Sequence, residues 1–207
     1  MRLRSLAIAS IALLVLGSGL AWILHPPAVP VPPREDLILA GVTLVEPGRS
    51  RLPDRRIEIS QGRIARVAPE SSGATGPFAG AFVLPGLIDV HVHHPPAWAL
   101  GERELFALLF LAHGVTSVRD VGGLLGSVEG HARRIEAGQV AGPRVLRCGP
   151  LVDGDPPTWF TSLVVTNARE ARKAVADLDA EGVDCIKVYN GLSYESYTAL
   201  REEAQAR

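Results

Sequence analysis

Residues 82–92 do most to narrow what this chain can fold into. The run is almost wholly apolar, as expected of a central parallel strand buried on both faces. It carries His91 near its end, and His93 comes two residues later. Strand side chains alternate faces, so Asp89, His91 and His93 point the same way. Two imidazoles on one face are a ready two-point grip for a metal such as zinc. The plainer reading is a pair of polar residues where a strand surfaces. Histidines closing a buried strand fall where α/β folds place their chemistry.

Downstream of these histidines the chain alternates helix and strand. Residues 102–112 read as a helix with Leu105, Leu108, Leu109 and Ala112 on one stripe. Strands are expected at 115–121, 144–148 and 184–189, and helices at 127–137, 168–181 and 194–206. Thr166 or Asn167 is suited to cap the helix at 168–181. Such alternation implies a parallel sheet. In the strand 184–189, period two puts Cys185, Lys187 and Tyr189 on one face. If Ile186 and Val188 pack beneath helices, Lys187 points to the sheet's other side. A lysine amine held away from water is neutral and nucleophilic, and such an amine captures carbon dioxide as a carbamate. The alternative is pairing with a carboxylate such as Asp89. Upstream, 37–45 and 56–60 read as strands, and Gln61-Gly62 turns the chain into 63–67 as a hairpin. Residues 69–80 read as a loop.

Leu84-Pro85-Gly86-Leu87-Ile88-Asp89-Val90-His91-Val92-His93 resembles the first barrel strand of the amidohydrolase superfamily of metal-dependent hydrolases. Three later segments extend the likeness in order: 114–123 (GVTSVRDVGG), 142–146 (GPRVL) and 182–189 (GVDCIKVY). As a set they resemble the imidazolonepropionase-like and metal-dependent prolidase-like branch. The resemblance implies an α/β fold: the N-terminal half of a (β/α)8 TIM-like barrel over 82–207, preceded by part of a small β-sandwich domain over 37–81. It implies His91, His93 and Lys187 as metal ligands, with Lys187 carrying the carbamate between one or two zinc or other divalent ions. Metal-activated water would then hydrolyse an amide, dipeptide or cyclic amide C–N bond. A full barrel needs roughly 250 residues, and the family's later histidines and general-base aspartate are expected beyond Arg207. No catalytic base is identified within the 207 residues. The chain is therefore expected to be the N-terminal portion of such an enzyme, inactive alone. The other reading is a non-catalytic exported remnant or interaction module that binds metal weakly.

At the other end, Arg2 and Arg4 precede an uncharged run over 5–24. Its length of about 20 residues matches a hydrocarbon core. Residues 1–24 are expected to be a signal-anchor or a signal peptide, and the positive-inside rule puts the remainder of the chain outside the cytoplasm. The protein is expected to be membrane-anchored or exported. Residues 25–36 begin with a proline-rich stretch that reads as an extended linker.

A net charge of −1 gives no reason to expect nucleic acid as a partner. A small-molecule substrate is expected, as is self-association through the open edges of a half barrel. Cys148 and Cys185 are too few for a disulfide framework and read as buried thiols on neighbouring strands, which the register is expected to leave too far apart to bond; a disulfide is the alternative outside the cytoplasm. Trp159, in the loop after the third barrel strand, and Tyr189 are candidate substrate contacts. His94 reads as a loop residue, His113 and His131 as surface residues, and Asp120 as a partner of Arg119 or a support of the site.

Overall fold

An apolar sequence forms helix readily when β-branched residues are few and no proline intervenes. The first element, α1 (Arg2–Leu24), is such a stretch. The structure is a computed structural model that describes residues 2–24, 31, 35–71, 73, 76–96, 99 and 102–207, with the side chains of 2–9 and 22–24 outside the description. The described side chains of α1 are all exposed. Among the described residues no helix is long and apolar enough to cross a membrane. Most of the expected proline-rich linker lies outside the described residues. The chain divides into two units, one of Val31–Leu87 and one that includes Ile88–Arg207.

The smaller unit is a four-stranded sheet in the order β3-β2-β1-β4. Strands β1 (Leu37–Val45), β2 (Arg51–Ser60) and β3 (Arg63–Pro69) form an antiparallel meander. Gln61 and Gly62 both take positive φ, at 52° and 73°, as a two-residue hairpin turn that matches strand twist requires. Val42 and Ile57 are its buried centre. β4 (Phe82–Val83) pairs parallel with β1 through Thr43 and Leu44. This corrects the single strand expected over 82–92. Pro85 supplies no backbone N–H and Gly86 adds freedom, so the run breaks at 84–86 and its start joins the small sheet.

In the larger unit, β5 (Leu87–Val92), β6 (Val115–Asp120) and β7 (Arg144–Arg147) are neighbours in that order. β6 and β7 run parallel. Helix α2 (Glu102–Ala112) lies between β5 and β6 in the chain, and α3 (Leu125–Glu136) between β6 and β7. Val92, Val118, Val128, Ala132 and Val145 form the core between strands and helices. The expected α2 stripe is not the buried one. Ala107 is buried and Phe110 packs on the core, while Leu105 and Leu109 stay exposed. On β5, Ile88 and Val90 share Val92's face by period two, yet are 63% and 54% exposed. These apolar positions have no covering layer within the described residues.

After β7 come two short parallel strands that the sequence pattern did not suggest, β8 (Val152–Asp153) and β9 (Leu163–Val164). The expected fourth barrel strand is a single parallel bridge, Val152 to Val188. Val152 N–H donates to Lys187 O at 2.8 Å and Tyr189 N–H to Val152 O at 2.9 Å. Helices α4 (Ala168–Ala180) and α5 (Tyr194–Ala206) pack on this side around Val165, Val175, Leu178 and Leu200. Asn167 caps α4 by accepting from Glu170 N–H at 3.0 Å.

Cys148 and Cys185 form a disulfide with Cα atoms 4.3 Å apart, against the expectation of two separated thiols. The reason is local register. Asp184 N–H donates to Arg147 O at 2.7 Å, which brings the next residue of each segment side by side.

Candidate metal centre

β5 delivers His91 from its pocket-facing side, and His93 lies one residue past the strand's end. The two rings meet edge to face with centroids 5.4 Å apart. They line a cavity of about 380 Å³ together with Lys187, Trp159, Tyr189, Gly122, Leu151 and Thr161. Five of these were legible as candidates; Gly122, Leu151 and Thr161 were not, since nothing chemical marks them. Strands β5 and 187–189 are not hydrogen-bonded neighbours, so their meeting at one cavity reflects sheet curvature.

Neither imidazole, nor the Lys187 amine, has a hydrogen bond or salt bridge from its side chain among the described residues. Asp89, the alternative partner for Lys187, instead accepts from the His91 backbone N–H at 3.0 Å. Two imidazoles open to one cavity are donors of the kind zinc takes; the amine beside them would become such a donor only as an anionic derivative such as a carbamate. Among the described residues no group of three or more His, Cys, Asp or Glu side chains could hold a metal.

Two buried carboxylates brace the rim. Asp153, at the end of β8, accepts from Gly154 N–H at 2.9 Å, Gly191 N–H at 2.7 Å and Thr158 N–H at 2.8 Å. Burial would raise its pKa, but these bonds hold the carboxyl below its usual range. The clamp ties the loop bearing Trp159 to the chain just past Tyr189. A Cβ on Gly154 would lie 1.8 Å from Gly191 O, so only glycine allows that approach.

The second is Asp120, and here several expectations are corrected. Asp120 does not pair with Arg119, whose Nε donates to Val90 O at 2.8 Å. Its Oδ2 accepts from His94 N–H at 2.7 Å and from His94 Nδ1 at 2.9 Å. His94 does lie in irregular backbone past the strand, as expected, but it is buried and does not line the cavity. The alternation that joins His91 to His93 turns His94 to the opposite, helix-facing side. Burial alone would raise the Asp120 carboxyl, but bonds from His94 and Gly123 pull it below the usual range. His131, expected at the surface, is 1% exposed. Its ring lies 5.8 Å from that of His94, and neither ring nitrogen has a hydrogen-bond partner among the described residues. Burial, then nearby His94 and Arg103, lower its pKa from 6.5 to about 4. His113 is exposed, as expected.

No protein-family model matches the chain. It is 34% identical over 92 residues to an adenine deaminase of Ruegeria pomeroyi, covering 42% of this chain and 15% of that protein. It is 30% identical over 122 residues to an adenine deaminase of Deinococcus radiodurans, covering 56% and 22%. A Bifidobacterium longum protein assigned as a prolidase superposes with TM-score 0.68 at 29% identity, over 84% of this chain and 48% of that one. A bottromycin amidohydrolase superposes with TM-score 0.72 at 24% identity, over 90% and 42%, and shares the fold. The chain thus spans about half the length of these structural neighbours and a fifth or less of the Ruegeria deaminase. In its α/β layers, and over part of their length, the chain resembles proteins of the amidohydrolase superfamily.

Proposed function

We propose that this chain supplies the first part of the metal centre of an amidohydrolase that cleaves amide, dipeptide or cyclic amide C–N bonds. One observation carries the reading: His91 and His93, with Lys187 far along the chain, line one cavity, their side chains without a hydrogen bond or salt bridge among the described residues. His91 and His93 would hold a zinc or similar ion. Lys187 would add a ligand as its carbamate: the neutral amine nitrogen bonds to carbon dioxide and a proton leaves the nitrogen. A bound metal supplies Lewis-acid polarisation and a more acidic water. Trp159 and Tyr189 wall the cavity where a small substrate would sit. Asp153 fixes the backbone on either side of that wall.

On this reading the 207 residues alone lack both a complete ligand set and a general base. The expected outcome is no turnover above background when the zinc-loaded chain is assayed with dipeptide and cyclic amide panels. Turnover that disappears in His91→Ala would overturn the proposed insufficiency of this part of the barrel.

The N-terminal segment is proposed as a membrane anchor that keeps the remainder outside the cytoplasm. Arg2 and Arg4 flank it, and the described part of α1 is exposed and apolar on every side but for Ser10, Gly17, Ser18 and Gly19. A reporter that works only in the cytoplasm, fused after Arg207, should stay dark in cells. A bright fusion would refute the topology.

A further inference from the structure

His93 lies past the last hydrogen-bonded residue of its strand. Something other than the ladder must fix its ring. The β5 ladder ends where Val121 N–H donates to Val92 O at 3.1 Å. The next peptide along, that of His94, is held by Asp120 Oδ2 at 2.7 Å, and the His94 ring adds its Nδ1 bond to the same oxygen. Asp120 Oδ1 reaches the other way. It accepts from Gly122 N–H at 3.2 Å and Gly123 N–H at 2.6 Å. That turn is the wall against which the His93 ring lies: a Cβ on Gly122 would be 3.1 Å from His93 Cε1 and 3.2 Å from His93 Nδ1.

One carboxylate therefore fixes both the peptide just past His93 and the glycine turn that its ring rests on. Asp120 and His94 are each buried, so water does not compete for these bonds, and bonds to a charged acceptor are the stronger kind. We propose that Asp120 is a positioning residue for His93: by clamping the His94 peptide and imidazole on one side and the Gly122-Gly123 turn on the other, it sets the direction in which the His93 ring faces the cavity. Asp120 never touches the cavity itself. Its role in metal binding rests on the reading of His93 as a ligand; its role in orienting the ring does not.

Asp120→Asn divides the two halves of the clamp. An amide oxygen can still accept from the glycine turn, but the amide nitrogen then faces two His94 donors. His94→Ala removes only the ring bond, and His94→Asn restores a donor close to the Nδ1 position. The measurement is the ring carbon–proton (Cε1–Hε1) NMR spectrum of the metal-free full chain in detergent micelles, with peaks assigned by His91→Gln and His93→Gln. Far-UV circular dichroism checks that each variant is folded. The expected result is a His93 peak displaced or broadened in Asp120→Asn and His94→Ala, restored in His94→Asn, with the exposed His113 peak unmoved throughout. A His93 peak unchanged in folded Asp120→Asn would overturn the proposal. Should that variant fail to fold, an unchanged peak in His94→Ala would do the same.

Cobalt titration of the same samples separates this inference from the metal reading. Loss of an outer partner of a ligand typically weakens metal binding roughly 10- to 100-fold, and Asp120→Asn should do so with altered cobalt absorption bands. If the unaltered chain takes up no cobalt while the His93 peak moves as expected, the positioning role stands and the metal reading fails. If it takes up cobalt and Asp120→Asn binds it equally well with the same bands, the positioning role fails and the metal reading stands.

Discussion

His131 is the residue whose chemistry is most at odds with its surroundings. Its imidazole is 1% exposed and neither nitrogen has a hydrogen-bond partner among the described residues. A buried His with a pKa near 4, against 6.5 when exposed, stays neutral in the folded chain and takes up a proton on unfolding. The contribution is fully present above about pH 6.5 and is lost as pH falls from there toward 4, amounting to roughly 3 kcal/mol over that window. Asp120, with a lowered carboxyl pKa, adds acid sensitivity of the same sign below its unfolded value. His131→Leu should flatten the decline between pH 6.5 and 4 and leave stability at about pH 7 unchanged or higher, because it also removes two unpaired polar atoms. Denaturant melts across pH would show this; parallel slopes in the two proteins would contradict it. The burial of His131 was not legible in sequence. A histidine in a polar helix such as 125–136 reads as exposed until the packing around Val128 and Ala132 is known. His94 could have been found, since period two already places it opposite His93.

Among the elements, those with strong local signals stand where the sequence puts them. α2 and α5 occupy 102–112 and 194–206, and β1 occupies 37–45. The failures share a cause, which is that pairing partners are chosen by tertiary context. Residues 82–83 look like the start of a barrel strand, but β1 offers them a free edge. Residues 184–189 carry a strand pattern, yet only Val188 makes a bridge, because β8 intervenes after β7. The same shift in register brings Cys148 beside Cys185. Their disulfide closes a separation of 37 residues and anchors the segment that carries Lys187 to the end of β7. A crosslink of that span contributes about 2–4 kcal/mol in the usual range. The Cys148→Ser, Cys185→Ser double variant should lose stability on that order in denaturant melts under oxidising conditions, and reductant should bring the unaltered chain to the same level. Equal midpoints for the two proteins before reduction would argue against the crosslink.

For the whole molecule, what the sequence conveys well is the resemblance to amidohydrolases and the gathering of His91, His93 and Lys187 at one cavity, because both depend on short motifs. What it conveys poorly is which apolar faces are covered. Ile88 and Val90 on β5, and Leu105 and Leu109 on α2, are exposed, although their patterns read as core. Coverage depends on which elements pack against each face, which a local pattern does not record; the chain spans about half the length of its structural neighbours. The proposed metal centre shows the same division, with His91, His93 and Lys187 gathered at one cavity and no fuller cluster among the described residues. The central claim is that these strand-end residues already form a metal grip. Calorimetric titration of zinc into the full chain, beside the His91→Ala, His93→Ala double variant, tests it most directly. The account predicts measurable, weak zinc binding by the chain that is lost in a folded double variant. Zinc uptake of equal affinity in both proteins, or none by the unaltered chain, would contradict it.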